Sequence, residues 1–354
     1  MQRTIQRARQ GKVPKVKETV LADFTVPDEL RCTSKNEPFL LYDSESRRNR
    51  CLIFSTDANL KKLSECEIGC GDGTFRTIPA MFQQMYSIHG IFGEHTLPFV
   101  YVLSSSKSKS VYLGILRTIK ELLPGVIKLR RMLTEFESAY MNAFEEVFPG
   151  VKITGCLFHH TQCIWRHVQA QGLQAQYNTT LNLSENIRML MVLSFVPVDD
   201  VILAYEELVT SQYFVDNDEI LSGLLDYYES TWIGMKKRNG KTRSSPLFDI
   251  KIWNCYLSVI NDEIRSNNRM EDWHHSFNDL IRVNHANISK FINVLKSQQN
   301  IVELKPLQLR TGLLLPEKRR VYQNYNNRLK NIVMSYNADE KLQYLKNIAR
   351  VLKV

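Results

Sequence analysis

The sequence predicts an α/β fold: a mixed five-stranded sheet with a large all-helical insertion before the helix that carries Glu271. Three observations carry this expectation. Apolar runs of strand length follow one another between residues 68 and 103, joined by short connections. Helical stripes then alternate with further strand-like runs as far as residue 158. Beyond residue 180 the apolar spacing is mostly helical to residue 262, and an acidic helical turn follows near Glu271.

The elements are expected in this order. Residues 1–37 are polar, with Pro14 and Pro27, and read as an arm. Residues 39–54 alternate enough for two strands around a polar turn at 43–50. A short helical turn at 60–63 precedes three strands at 68–74, 81–90 and 96–103, an antiparallel meander. Val111, Ile115, Ile119 and Leu122 form a helical stripe that Pro124 and Gly125 end. A strand at 126–133, a helix at 137–148 and a strand at 151–158 complete the set. Three strands, a helix, a strand, a helix and a strand is the order of an RNase H-like core. A helix begins near Arg269, another spans 286–296, and the chain is helical again after Pro316. The expected regions are therefore a basic arm and small pre-core region (1–64), the core (65–180), the helical insertion (181–262), core helices bearing the last acid (263–300) and a basic helical tail (301–354).

Composition narrows the function classes. Hydrophobic content of 44% and charged content of 23% suit an ordinary globular protein. No apolar stretch reaches the roughly 18 residues of a membrane span, and Met1 is followed by Gln2 and Arg3 rather than a signal-peptide core, so no membrane partner is expected. Seven scattered cysteines fit a reducing compartment better than a disulfide framework. The net charge of +9 is segregated: residues 1–20 carry +5, residues 233–243 carry +5, residues 301–354 carry +7, and the remainder is net −8. Basic patches on an otherwise acidic chain point to a polyanion, most simply nucleic acid, or else to solvated helix faces. Lys236, Lys237, Arg238, Lys241 and Arg243 are the densest patch. Between Asp199 and Glu229 there are nine acids and no Lys or Arg, a surface expected to face away from phosphate or to pack on a basic partner.

Three carboxylate-bearing segments stand out: Asp72-Gly73-Thr74-Phe75 at the end of an apolar run, Thr134-Glu135-Phe136-Glu137, and the stretch from Asn267 to His274 that contains Glu271. Converging carboxylates are what Mg²⁺-dependent phosphoryl transfer needs. The gap of 63 residues from Asp72 to Glu135 contrasts with 136 from Glu135 to Glu271, and the excess accommodates the insertion. Cys156, His159, Cys163 and His167 are spaced to share a helical face and can hold zinc, although such a Cys-x-x-His pair more often supports packing. His274 and His275 either touch substrate phosphate or water or lie on the surface.

With these motifs in hand, the chain resembles Mutator-like element (MULE) transposases of the type often accompanied by a FLYWCH zinc finger. Ile53-Phe54-Ser55-Thr56, the Asp72–Phe75 motif, Gln84 to Gly90, Pro98 to Leu103, Cys156-Leu157-Phe158-His159, Trp232-Ile233-Gly234, Trp253 to Tyr256, and Arg265 to His274 occur in the family's order. The resemblance implies Asp72, Glu135 and Glu271 as catalytic and metal-binding acids holding two Mg²⁺ (or Mn²⁺) ions. It implies double-stranded DNA as partner, contacted also by Arg265, Asn267 and Asn268. A homodimer that pairs two transposon ends and a nuclear location are implied as well. The sequence departs from the family in placing Glu135 where Asp is usual, and residues 1–50 hold one cysteine and no histidine, so no finger is expected there. Two classes follow: a DNA-cutting and joining enzyme, or a transposase-derived DNA-binding protein that keeps the fold.

Overall fold

The computed structural model describes residues 21, 24–92, 95–238, 240, 242–310 and 320–352. Of the arm expected at 1–37, residues 1–20, 22 and 23 lie outside the described residues, as do Lys241 and residues 311–319 and 353–354 of the tail; the rest is no free arm, since Phe24, Val26 and Leu30 are buried in the core. The chain divides into two units, Met1–Ile153 with Asn268–Leu315, and Thr154–Asn267 with Pro316–Val354. Among the described residues, no helix is long and apolar enough to cross a membrane.

The first unit is built on a mixed sheet of seven strands rather than five. These are β1 (Leu40–Asp43), β2 (Cys51–Phe54), β3 (Ile68–Thr74), β4 (Gln84–Phe92), β5 (His95–Ser104), β6 (Arg131–Thr134) and β7 (Lys152–Gly155). Their order across the sheet is β1-β2-β5-β4-β3-β6-β7. The two extra strands are the pair expected at 39–54, which pairs antiparallel with the outer edge of β5 instead of standing before the core. Cys51, Leu52, Ile53 and Phe54 are all buried, as a run without polar alternation requires when both faces are covered. The β3–β4–β5 meander is antiparallel, and β6 runs parallel to β3.

Two layers of helices cover the sheet. On one face Tyr86, Tyr112, Tyr140 and Phe144 pack together under the helices Lys109–Leu122 and Ser138–Val147. The helix Lys109–Leu122 starts where Ser108 accepts from the Val111 amide, and buries Val111, Tyr112, Ile115, Leu116 and Ile119 at helical spacing. Gly71 of β3 leaves room for this layer: a Cβ there would lie 2.5 Å from Tyr86 Oη and 2.8 Å from Met132 Cε. On the other face Phe54, Tyr101, Leu103, Phe277 and Phe291 form a second core beneath the helices Asn268–Ile281 and Ile288–Arg310. Each fully buried aromatic of this kind contributes about 2–3 kcal/mol of burial free energy.

Several boundaries differ from expectation for local reasons. The turn at 60–63 is a nine-residue helix, Asp57–Glu65, because Thr56 caps it at Asn59. The strand expected over 126–133 is confined to Arg131–Thr134, where pairing with Ile68–Gly71 begins. The strand expected over 151–158 stops at Gly155, since Leu157 opens the helix Leu157–Ala170.

The second unit is largely helical, with Leu157–Ala170, Leu181–Met191, Val201–Val209, Asp218–Tyr228, Arg320–Met334 and Lys341–Val351 as its longer helices. Its insertion is not all-helical: Lys236 and Arg243 form an antiparallel bridge, and none of the described residues from Gly234 to Asp249 is helical. The C-terminal helices join this unit, with Tyr344 donating to the Phe195 carbonyl at 2.5 Å and Tyr336 donating to Asp200 at 2.9 Å.

Candidate active site

Strands β3 and β6 run parallel and therefore end at the same edge of the sheet. Asp72 stands near the end of β3 and Glu135 immediately follows β6. The Gly73 amide joins them, donating to Asp72 Oδ1 at 2.9 Å and to Glu135 Oε1 at 3.1 Å. A carboxylate oxygen of Asp72 and one of Glu135 lie within 4.8 Å of each other. Gly73 permits this approach, for a Cβ there would sit 3.1 Å from Glu135 Oε1 and 3.2 Å from Gln84 Oε1. The side chain of Glu135 thus folds back onto β3.

The helix Asn268–Ile281 brings the third acid. Its buried stripe, Met270, His274, Phe277 and Ile281, recurs every three or four residues. Trp273 anchors it, stacked on Tyr101 with ring centroids 5.6 Å apart and donating Nε1–H to Gln298 at 3.1 Å. Glu271 in the first turn is half-buried and lies close enough to feel the charge of Asp72. Burial first, then the charges of Asp72 and Asp272, push Glu271 up to about 8. Burial and the charges of Asp72 and Glu137 likewise raise Glu135, while Lys107 opposes the shift. The Lys107 ammonium sits 3.6 Å from the Phe75 ring centroid. Glu137 is turned aside, accepting from Tyr112 Oη at 2.9 Å, and Tyr112 in turn accepts from Gln84 Nε2.

Residues outside the expected set complete the surroundings. His274 Nδ1 stands 3.4 Å from Asp72 Oδ2, its Nε2 lies 2.8 Å from Ser87 Oγ, and Ser87 Oγ lies 3.1 Å from His89 Nε2. Asp72 faces Ser87 across the β3–β4 ladder, and Cys70 faces His89, so these side chains share one face of the sheet. The three-residue interval from Glu271 to His274 was a readable signal, because it places both on one side of a helix. Lys107 and Tyr112 carried no such signal, as their roles arise from a loop and a helix packing against the sheet. His275 is exposed.

The remaining expected site residues fall in other places. Cys156 is buried at the start of Leu157–Ala170, and its thiol donates to Asn267 Oδ1 at 2.8 Å. Asn267 is correspondingly buried, a packing partner of Cys156 rather than an exposed contact, while Asn268 is exposed. A ring nitrogen of His159 lies within 4.8 Å of Cys156 Sγ, so the Cys-x-x-His pair does come together. His167 stacks on Tyr227 with centroids 4.0 Å apart. His160 is the buried histidine of this helix, stacked 5.0 Å from Trp253 and edge-on to Trp232, and burial lowers it to about 3. Arg265 donates to Asn326 at 2.7 Å. In the basic segment, Arg243 pairs with both Glu206 and Glu229, and Lys236 pairs with Glu206 at 3.0 Å. The acidic stretch therefore meets basic partners within its own unit, including Lys341 on Glu207. Lys237 and Arg238 remain exposed at the hairpin.

Residues 69–163 match the MULE transposase domain. The match to the MULE domain includes two of the three acids and the Cys156–His159 pair, whereas Glu271 lies beyond it and is placed at the site by tertiary packing. No curated protein matches the chain.

Proposed function

We propose that this chain is a DDE-type DNA transposase, with Asp72, Glu135 and Glu271 as a D-E-E set on an RNase H-like core. It would cleave and transfer strands at transposon ends in a metal-dependent reaction. The convergence of Asp72 and Glu135 on one amide, with Glu271 held near Asp72 by a packed helix, is what carries the reading. Three buried or half-buried carboxylates in mutual repulsion, all hard oxygen donors, suit Mg²⁺ or Mn²⁺. Asp72, Glu135 and Glu271 would hold two such ions, which when bound supply Lewis acidity and align a water or 3′-hydroxyl for in-line displacement at phosphorus.

The chain's own groups divide the remaining work. The Gly73 amide orients Asp72 and Glu135 together, and Lys107 lowers the cost of charge on Glu135. Double-stranded DNA is the proposed partner, with Lys237, Arg238 and the basic termini contacting phosphate, and Asn268 and Arg265 lying beside the segment that carries Glu271. A homodimer pairing two ends and a nuclear location complete the proposal.

The test is nicking of supercoiled plasmid and joining of a 3′-hydroxyl oligonucleotide, in Mg²⁺ and in Mn²⁺. Nicking should be lost in Asp72→Asn and in Glu271→Gln, with the fold retained by circular dichroism. Glu135, one methylene longer than the family's Asp, favours the second reading, a DNA-binding relative without catalysis. Wild type that binds DNA but cuts it in neither metal would establish that alternative.

A further inference from the structure

The site contains a buried chain of polar groups that the three acids do not explain. It runs from His89 through Ser87 and His274 to Asp72, with successive separations of 3.1, 2.8 and 3.4 Å. Its members come from three elements: Ser87 and His89 from β4, Asp72 from β3, and His274 from the helix that bears Glu271. Ser87 and His89 are fully buried, and His274 and Asp72 nearly so.

For a neutral His274 ring, the donor and acceptor roles along this chain follow from one another. An ionised carboxylate accepts only, so the nitrogen facing Asp72 Oδ2 must carry hydrogen; a bare Nδ1 would set its lone pair against the negative oxygen. At 3.4 Å this contact is longer than an ordinary hydrogen bond, and its electrostatic preference for a donor is unchanged. In a neutral His274 ring, Nε2 is then the acceptor, and it receives the Ser87 hydroxyl. With its proton committed, Ser87 Oγ accepts from His89, which must carry hydrogen on Nε2. That leaves His89 Nδ1 bare. The same end point is reached from the far end of the chain, because His89 Nδ1 is buried without a hydrogen-bond partner among the described residues. A buried acceptor left unmatched is tolerated more readily than a buried N–H donor. Burial also holds His89 well below the ordinary histidine range, in keeping with a neutral ring.

We propose that His89, Ser87 and His274 form a one-way hydrogen-bond relay ending on Asp72, which docks the Glu271 helix in register with β3. All three are positioning residues. His274 lies three residues after Glu271, on the same side of the helix, so fixing its ring against Asp72 also fixes where the third carboxylate stands relative to the first. Without Ser87 the Nε2 acceptor of His274 loses the hydroxyl that holds the ring in place. The ring is then free to turn its Nδ1–H away from Asp72. The inference rests on the reading of Asp72 and Glu271 as cation ligands, but its proton assignment does not.

The test uses the full chain, uniformly ¹⁵N-labelled and free of metal, with long-range ¹H–¹⁵N spectra of the imidazoles at neutral pH. The expected result is His274 as the Nδ1–H tautomer and His89 as the Nε2–H tautomer, with the His274 Nε2 resonance shifting or broadening in Ser87→Ala as its hydroxyl partner is lost. Mn²⁺ alone is then titrated and followed by the electron paramagnetic resonance of the free ion. His274→Leu and Ser87→Ala should each weaken Mn²⁺ binding about 10–100-fold, the usual effect of removing a group that orients a metal ligand. His274→Asn, which can present an N–H where Nδ1–H stood, should stay within about threefold of wild type. A merely packing histidine would give the opposite order, with Leu tolerated better than Asn. His274 found as the Nε2–H tautomer, or Mn²⁺ affinity unchanged in both Ser87→Ala and His274→Leu, overturns the relay. Correct tautomers in a wild type that binds no Mn²⁺ overturn the cation reading of the acids and the positioning role with it, while the proton assignment stands.

Discussion

Glu271→Gln offers the sharpest measure of how far the acids are crowded. The Glu271 carboxyl rises from an ordinary 4.5 to about 8 because it is desolvated and faces Asp72 and Asp272. A carboxyl raised in the folded state contributes stability that is fully present below pH 4.5 and lost as pH rises from 4.5 to 8. Metal-free protein should therefore weaken across that window, and Gln, which imitates the protonated acid, should remove the loss. At about 1.36 kcal/mol per pH unit, the interval from 4.5 to about 8 sets a ceiling near 5 kcal/mol. Glu271 is only half-buried, so solvent screening reduces the expected gain to about 1–2 kcal/mol at pH 8.5. The assay is thermal unfolding with a chelator present, where the variant should melt roughly 2–6 °C above wild type, with no difference at pH 4.5. Adding 10 mM Mg²⁺ should stabilise wild type more than the variant, since the cation does for the pair of acids what the substitution does by neutralisation. A variant less stable than wild type at pH 8.5 without metal would refute the crowding of these acids.

Other perturbations probe neighbouring parts of the argument. Gly73→Ala places a methyl 3.1 Å from Glu135 Oε1 and 3.2 Å from Gln84 Oε1; stability should fall by about 1–2 kcal/mol by urea titration, and nicking by at least about tenfold, because such sites tolerate only about 0.5 Å of displacement. Lys237→Ala with Arg238→Ala should reduce the slope of log affinity for duplex DNA against log salt by about 2 in fluorescence anisotropy, whereas Lys236→Ala alone should change it less, since Lys236 is paired with Glu206. Arg243→Ala leaves Glu206 and Glu229 without their shared cation and should cost about 3 kcal/mol in chemical unfolding, a structural loss rather than a DNA-binding one.

The legibility of the site varied with the kind of evidence each residue offered. Asp72 announced itself, because an acid followed by Gly73 at the end of a strand-like run is a local pattern. Glu135 required knowing that β6 lies beside β3, and Glu271 required knowing that a helix 136 residues later returns to the same sheet face. Charge density misjudged Arg243 for the opposite reason: a basic residue in a basic run looks exposed until its partners, 14 and 37 residues distant, fold onto it. Asn267 was similar, an amide in a polar motif that proves to be buried against Cys156.

By itself the sequence determined the elements of this protein. Apolar periodicity placed the β3–β4–β5 meander, the helix Lys109–Leu122 and the C-terminal helices close to where they stand, since these signals lie within a few residues of one another. Tertiary structure alone decided that Cys51–Phe54 extends the sheet past β5, that the acidic stretch is met by Lys236, Arg243 and Lys341, and that His274 reaches Asp72. Each is a pairing of groups far apart in the chain, and its energy comes from desolvation and electrostatics at the contact. Residue type records what a side chain can do, and the packing of strands and helices determines which group it does it with.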